Sequence, residues 1–216
     1  MNKDSGIVWS RRHWLALTGS GVIGIKLCAA DTEFWNQKNP SEWTTDEIAR
    51  LVTKSPWAKE AAPQSELTPQ TVAAGLARSG RKRAGGSSAS DAKGVIVWES
   101  AQPILDARKK PLPDEFKNHY TLSVTGIPLP TESDSDLFDH LRQFTALHPD
   151  DQPPVQPGII QQIEGSANGV LLGFSKDVVE LTAVDKSIDF STIIGRMAVK
   201  IRIETKYMSY KGQLAL

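Results

Sequence analysis

The C-terminal part of the chain is a series of short apolar runs separated by turn-forming residues, and this series restricts the fold more than any other feature. In "HYTLSVTGIPL" (His119–Leu129) and "MAVKIRIETKY" (197–207), apolar and polar residues alternate, as in strands with one buried face. Gly94–Ile104 is rich in β-branched residues and predicts a further strand, which meets Pro103. The segment "GQLAL" predicts a last short strand, and the remaining runs are "IIQQIEG", "NGVLLGFS", "VVELTAV" and "IDFSTII". Their close spacing and Asn-Gly, Gly and Asp-Lys breaks predict an antiparallel meander.

One segment within this β-rich part has the spacing of an amphipathic helix. In "TESDSDLFDHLRQFTALHPDD", acidic residues precede apolar residues at helical spacing, and Pro149 ends the pattern. The apolar positions are Leu137, Phe138, Leu141, Phe144 and Leu147. Residues 94–216 are therefore predicted to form an α+β domain, an antiparallel sheet with at least one packed amphipathic helix.

Residues 31–60 form a tryptophan-rich segment, called the arm below. Thr44 and Glu47 have the spacing of a capping box, and Pro56 predicts that the helix ends near residues 54–55. Such a short helix is unstable alone, and its tryptophans need a surface to cover them. We expect the arm to dock on the later domain or on a partner, either an envelope protein or a second copy; a platform for a sugar ring is the alternative. The candidate interaction residues are Trp35, Trp43 and Trp57.

Residues 61–93 lack aromatic residues and include a Gly/Ser run, which is the composition of a flexible linker. A basic cluster lies in this linker, at Arg78, Arg81, Lys82 and Arg83. No aromatic residues interleave with these charges, so a solvated linker is favoured over contact with phosphate or an acidic polymer. The whole chain has 25 basic and 25 acidic residues, a balance that does not predict a nucleic-acid partner.

Residues 1–30 have the layout of an export signal. A basic pair precedes a modest apolar stretch, which is too short and too rich in glycine to span a bilayer, and small residues follow. The segment resembles a twin-arginine (Tat) signal peptide, with Trp14 where Phe is common and Ala16 where Lys is common. The residues that match the pattern are Ser10, Arg11, Arg12, Trp14 and Leu15. This resemblance implies that a folded protein is exported to the periplasm or secreted.

Cleavage between Ala30 and Asp31 would remove Cys28, the one cysteine of the chain, and leave no transmembrane segment. Two alternatives remain open: lipidation of Cys28, although Lys26 and Leu27 fit a lipobox poorly, and an ordinary buried helix over residues 13–27. The mature chain also resembles uncharacterised exported acidobacterial proteins of unknown function. That resemblance rests on "FWNQKNPSEWTTDEIARLVTKSPWAKEA" and on "IGRMAVKIRIETKYMSYKGQLAL" near the C-terminus. It implies export and no activity.

Motifs for metal or cofactor chemistry are absent from the sequence. His119, His140 and His148 lack the short paired spacings of a zinc site. Asp134, Asp136 and Asp139 lack the glycine and the glutamate of a calcium loop, and charge at a helix N-terminus explains them better. The sequence therefore predicts no metal and no cofactor.

Motifs for nucleophilic catalysis are also absent. "EGSANG" (164–169) has the pattern of a hairpin turn rather than of a nucleophile elbow. The first functional hypothesis is a non-enzymatic binding or assembly protein of the cell envelope. The alternative is a carboxylate-dependent hydrolase acting on a glycan, suggested by Trp98-Glu99 on a predicted strand and by Glu164 as a second carboxylate.

Overall fold

The computed structural model describes residues 33–61, 64–65, 93–130, 134–166, 168–195 and 197–216. The predicted signal peptide, with Ser10–Leu15 and the Ala30–Asp31 cleavage site, and most of the predicted linker lie outside these residues. The helices are α1 (Phe34–Gln37), α2 (Thr45–Leu51), α3 (Gln102–Arg108) and α4 (Asp134–Phe144). The strands are β1 (Ala58–Ala61), β2 (Gln64–Ser65), β3 (Gly94–Trp98), β4 (His119–Thr125), β5 (Ala146–Pro149), β6 (Ile159–Gln162), β7 (Gly169–Ser175), β8 (Ser187–Ile194), β9 (Met197–Glu204), β10 (Ser209–Tyr210) and β11 (Gln213–Leu214).

The strands form two main antiparallel sheets. The larger has the order β1-β3-β4-β7-β6, and the smaller has the order β2-β9-β8-β5. Phe174 of β7 and Phe190 of β8 meet edge to face, with ring centroids 6.5 Å apart. Both side chains are fully buried, so a shared apolar core joins the two sheets.

The α+β class with antiparallel sheets is confirmed, and the strands of the predicted meander are divided between the two main sheets. The segment "GQLAL" contributes β11, which pairs with β10 outside both of them. The division occurs at "VVELTAV", which is predicted as a strand but forms none. The Asp185 carboxylate accepts a hydrogen bond from the Thr182 N–H, which turns the chain. Val179 and Leu181 are nevertheless buried, so the run contributes to the core without pairing in a sheet.

Two element boundaries differ from the sequence prediction. The strand predicted over Gly94–Ile104 ends at Trp98, and α3 begins four residues later with Pro103 in its first turn. Proline fits there because the first helical N–H groups have no partner within the helix. The amphipathic helix is confirmed as α4, but it ends at Phe144, and Leu147 lies in β5.

The arm packs into the same core as the two sheets. The capping box at Thr44 and Glu47 is present, and α2 ends at Leu51, slightly earlier than predicted. Strand β1 of the arm pairs with β3, and the Trp57 Nε1–H donates a 2.7 Å hydrogen bond to the Ala215 carbonyl. The arm therefore contacts both the larger sheet and the C-terminal segment.

Candidate functional site: a lysine-lined groove beside helix α3

The chain reverses direction after α3, and this reversal creates a groove. Lys109 ends the helix in the left-handed conformation, with φ 52°, and its N–H donates to the Leu105 carbonyl. The following loop leads through a 3-10 helix, Asp114–Phe116, into β4. The segment after β7 closes the other side, where the Lys176 N–H donates to the Asn118 carbonyl.

We call this space the basic groove. It has a volume of about 440 Å³, which is within the range of small-molecule sites. Four lysines line it, together with polar and apolar side chains. The lining residues are Ser100, Gln102, Leu105, Asp106, Lys109, Lys110, Pro111, Leu112, Phe116, Lys117, His119 and Lys176.

The charge of the basic groove is strongly unbalanced. Among the described residues that line it, Asp106 is the one carboxylate. Its Oδ1 accepts from Gln102 and its Oδ2 from the Tyr210 hydroxyl, both at 2.7 Å. Burial and this carboxylate raise the pKa of Tyr210, so the hydroxyl remains a donor. Asp106 is thus held by internal partners, and none of the lysines forms an ion pair with it.

The lysines of the basic groove are exposed and mostly free of strong ion pairs. Lys117 pairs with Asp114 at 2.9 Å, but both side chains are largely exposed, and such a pair is weak. The Lys176 ammonium lies 4.9 Å from the centroid of the Tyr120 ring. Lys109 and Lys110 form no ion pair with a described carboxylate. The positive charges of Lys109, Lys110 and Lys176 are therefore not neutralised by an ion pair with a described carboxylate.

An ion pair between the buried Glu99 carboxylate and the half-exposed Arg108 side chain anchors α3 to the sheet. Glu99 is 5% exposed and accepts two hydrogen bonds from Arg108, at 2.6 and 2.5 Å. It also accepts from the Ser123 hydroxyl at 2.6 Å. Because α3 has only seven residues, these contacts rather than helix propensity fix its position on the sheet.

These contacts and the strand register do not favour Glu99 and Glu164 as a hydrolytic pair. Both carboxylate oxygens of Glu99 accept hydrogen bonds from Arg108. The backbone N–H of Glu99 donates to the Thr121 carbonyl, and both Thr121 and Ile159 of β6 lie opposite Gly173 of β7, so Glu99 is level with Ile159 along the strands. Glu164 lies five residues beyond Ile159 and three strands away. At about 3.3 Å per residue and 4.8 Å per strand, the two backbone positions are roughly 20 Å apart. A glycosidase pair requires about 5–10 Å.

A serine–histidine contact occurs on the outer face of the smaller sheet. His148 Nε2 lies 3.1 Å from Ser191 Oγ, and Asp189 is opposite His148 in the strand register. The Asp189 carboxylate is bound by Arg202 at 2.6 and 3.0 Å and by Lys200 at 3.3 Å, and hydrogen bonding to Arg202 lowers its pKa. Asp189 is therefore engaged with the two cations and does not complete a triad with the histidine.

The candidate interaction residues of the arm are core residues. Trp35, Trp43 and Trp57 are 2%, 7% and 1% exposed, respectively. Trp35 packs edge to face on Trp57 at 5.5 Å, and Trp43 packs on Tyr210 at 6.5 Å. Docking of the arm on the later domain is what the structure describes, and little indole surface is left for a sugar platform.

A second groove, of about 530 Å³, lies between the arm and β9. Its charges pair locally: Arg50 with Glu33 at 2.8 Å and Lys54 with Glu60 at 3.8 Å. This cancellation leaves less net charge for a ligand than in the basic groove.

The side chains of His119, His140 and His148 lie in separate environments. His119 lines the basic groove and packs on Phe116, whereas His140 packs on Phe144 with ring centroids 4.6 Å apart. Within the described part of the chain, no three His, Cys, Asp or Glu side chains converge as metal ligands would. Among the helices of that same part, none has the length and apolar character needed to cross a bilayer.

In comparisons with known proteins, no family model, no curated protein and no solved structure matches this chain.

The sequence does not predict the basic groove, because the pattern over Gly94–Ile104 predicts a strand where α3 begins. The signals present were Pro103, which starts a helix well, and the run Arg108–Lys110 at the end of the same segment. Lys117 and Lys176 gave no local signal, because they join the groove only through the strand pairing of β4 and β7.

Proposed function

We propose that this protein is an exported binding protein of the cell envelope and that its basic groove takes an anionic ligand. The observation that carries the proposal is the convergence of four lysines around one aspartate that is already engaged by Gln102 and Tyr210. Ser100 and His119 line the same space and supply hydrogen-bonding groups beside the positive charge. Carboxylate and phosphate groups are the ligand chemistry that such a lining suits.

Binding of small anions tests this proposal. We expect inorganic pyrophosphate to bind the mature protein in isothermal titration calorimetry at 20 mM salt and to bind more weakly at 200 mM, because salt screens exposed charges. A triple variant with Lys110→Gln, Lys117→Gln and Lys176→Gln should lose at least tenfold in affinity. Lys59→Gln is the matched control, since Lys59 lines the other groove. Equal pyrophosphate affinity in the triple variant and the control would contradict the proposal.

The export part of the proposal rests on the match of Ser10–Leu15 to a twin-arginine signal and on the predicted cleavage between Ala30 and Asp31. Pairing of the arm with the larger sheet and with the C-terminal segment is compatible with folding before export. Mass spectrometry of the native protein should find a product that starts at Asp31. Changing both Arg11 and Arg12 to Lys should accumulate precursor in the cytoplasm, whereas a native cytoplasmic product starting at Met1 would contradict export.

We also propose an assembly role for the arm, with an envelope protein or a second copy as partner. Because the three indoles are buried, the partner would contact the outer side of the arm, where Lys38, Asp46 and Arg50 are exposed. Sedimentation of the mature chain tests self-association, and reversing the charges of Lys38 and Arg50 should weaken it. If the mature chain is monomeric at every concentration, self-association through the arm is contradicted. If the charge-reversed variant captures envelope proteins as well as the wild type does, binding of an envelope protein through the arm is contradicted.

A further inference from the structure

The basic groove has an apolar floor below its lysine rim. Leu105 from α3 and Leu112 from the following loop are half-buried and line the groove together with Phe116. Phe116 is held firmly: it is 1% exposed, and its ring packs on Gly173, where an added Cβ would approach within 3.0 Å. The glycine therefore lets the aromatic ring form the base of the groove.

We infer that the ligand of the basic groove is an amphiphilic anion, with a phosphate or carboxylate head and a single aliphatic chain. This inference rests on the proposed function and specifies its ligand class. The exposed lysines Lys110, Lys117 and Lys176 complement the head, and the floor complements the chain. A purely polar anion would leave the leucine surface in contact with water, whereas an aliphatic chain would remove it from water.

The shape of the floor favours a free amphiphile over a membrane surface. Leu105 and Leu112 are half-buried, and Phe116 is fully buried, so none of the three side chains projects freely into solvent. Surface-bound membrane proteins instead present apolar side chains that enter the acyl boundary. A single amphiphile that leaves its aggregate and binds in the groove is the occupant that this geometry fits.

Ligands that vary the head and the chain separately test the inference. Titration calorimetry is done below the critical micelle concentration with inorganic phosphate, butyl phosphate, decyl phosphate and the neutral decyl maltoside. With the head kept constant, we expect affinity to rise from inorganic phosphate to butyl phosphate to decyl phosphate, by at least tenfold overall. With the chain kept constant, we expect decyl maltoside to bind at least tenfold more weakly than decyl phosphate. Cosedimentation with phosphatidylglycerol vesicles should show no stronger binding than vesicles of neutral lipid.

Variants of the floor locate the effect. Leu105→Gln and Leu112→Gln, tested separately in case one fails to fold, should each lower decyl phosphate affinity at least fivefold. The loss of affinity for pyrophosphate should be smaller than the loss for decyl phosphate in both variants, because pyrophosphate has no aliphatic chain to contact the floor. Val184→Gln is the matched control, since Val184 is 86% exposed and lies outside the groove. Circular dichroism checks the fold of every variant.

The outcomes separate the inference from the proposed function. If pyrophosphate binds through the lysines but decyl phosphate binds no tighter than inorganic phosphate, the amphiphile inference is wrong and the anion site stands. Equal binding of decyl maltoside and decyl phosphate, or preferential binding to the anionic vesicles, also overturns the inference. If no anion binds in the groove, the proposed function fails with it.

Discussion

The Tyr210 hydroxyl donates a 2.7 Å hydrogen bond to Oδ2 of Asp106, and this contact joins the C-terminal hairpin to helix α3 across 104 positions of the chain. Asp106 is the one carboxylate among the described residues that line the basic groove, and its other oxygen accepts a hydrogen bond from Gln102. Tyr210 is 5% exposed and packs on Trp43, so the arm supports the same contact. The groove, the arm and the C-terminus are therefore structurally linked through a single side chain.

Tyr210→Phe should change the stability of the protein at alkaline pH. The pKa of Tyr210 is raised in the folded state, so above the ordinary tyrosine pKa of about 10 the unfolded chain loses this proton first. Stability then falls as pH rises, by up to about 1.4 kcal/mol per pH unit from this group. Urea unfolding at pH 8 and pH 11 should show a smaller loss in Tyr210→Phe than in the wild type. Tyr207→Phe is the control, since Tyr207 is 47% exposed. If Tyr210→Phe loses as much unfolding free energy between pH 8 and pH 11 as the wild type does, the prediction is contradicted.

Asp106→Asn should strengthen anion binding in the basic groove. The amide oxygen can still accept from Tyr210, while one negative charge is removed from the lining. At a separation of about 8 Å in a water-like dielectric, the lost repulsion corresponds to an increase in affinity of about two- to threefold per unit negative charge on the ligand, so pyrophosphate, with several charges, should gain more than this. Calorimetry at 20 mM salt measures the change. Unaltered affinity would indicate that the anion binds away from Asp106.

The sequence predicted the features whose signals are local, and it missed those that depend on distant pairing. The capping box of α2, the amphipathic pattern of α4 and the alternation of β9 are each contained within a few residues, and all three elements are present, although α2 and α4 end earlier than predicted. The division into two sheets depends on which strands pair, and nothing within "VVELTAV" encodes it. The basic groove was missed for the same reason, since its lysines come from three separate segments.

Removing residues 214–216 should destabilise the protein through Trp57. The Trp57 Nε1–H donates to the Ala215 carbonyl, and truncation removes this acceptor at a cost of about 1–3 kcal/mol of unfolding free energy. The truncation also removes the packing of Leu214 and Leu216 against the core. Urea unfolding measures the loss. In Trp57→Phe, which has no N–H to satisfy, the same truncation should cost less. Equal costs in both backgrounds would show that the hydrogen bond contributes nothing.

Breaking the Glu99–Arg108 pair should destabilise α3 more than removing the Ser123 hydroxyl does. Glu99→Ala leaves the Arg108 guanidinium unpaired, but this side chain is 43% exposed and can be hydrated. We therefore expect a loss of about 2–3 kcal/mol of unfolding free energy, which is less than the cost of breaking a fully buried pair. Ser123→Ala removes one hydrogen bond to the same carboxylate and should cost about 1 kcal/mol. Denaturant unfolding gives both values. A larger cost for Ser123→Ala than for Glu99→Ala would be inconsistent with Glu99 as the anchor of α3.

A comparison of Phe144→Ala with Leu147→Ala tests where α4 ends. A helix continuing to Leu147 would bury both side chains on one face, whereas in the structure Phe144 is 42% exposed and Leu147, in β5, is fully buried. Leu147→Ala should therefore cost about 2–5 kcal/mol of unfolding free energy, because it opens a cavity in the core. Phe144→Ala should cost less than about 1 kcal/mol, since most of what it loses is contact with the His140 ring. Similar losses in the two variants, measured by urea unfolding, would favour the longer helix and contradict the pairing of β5 with β8.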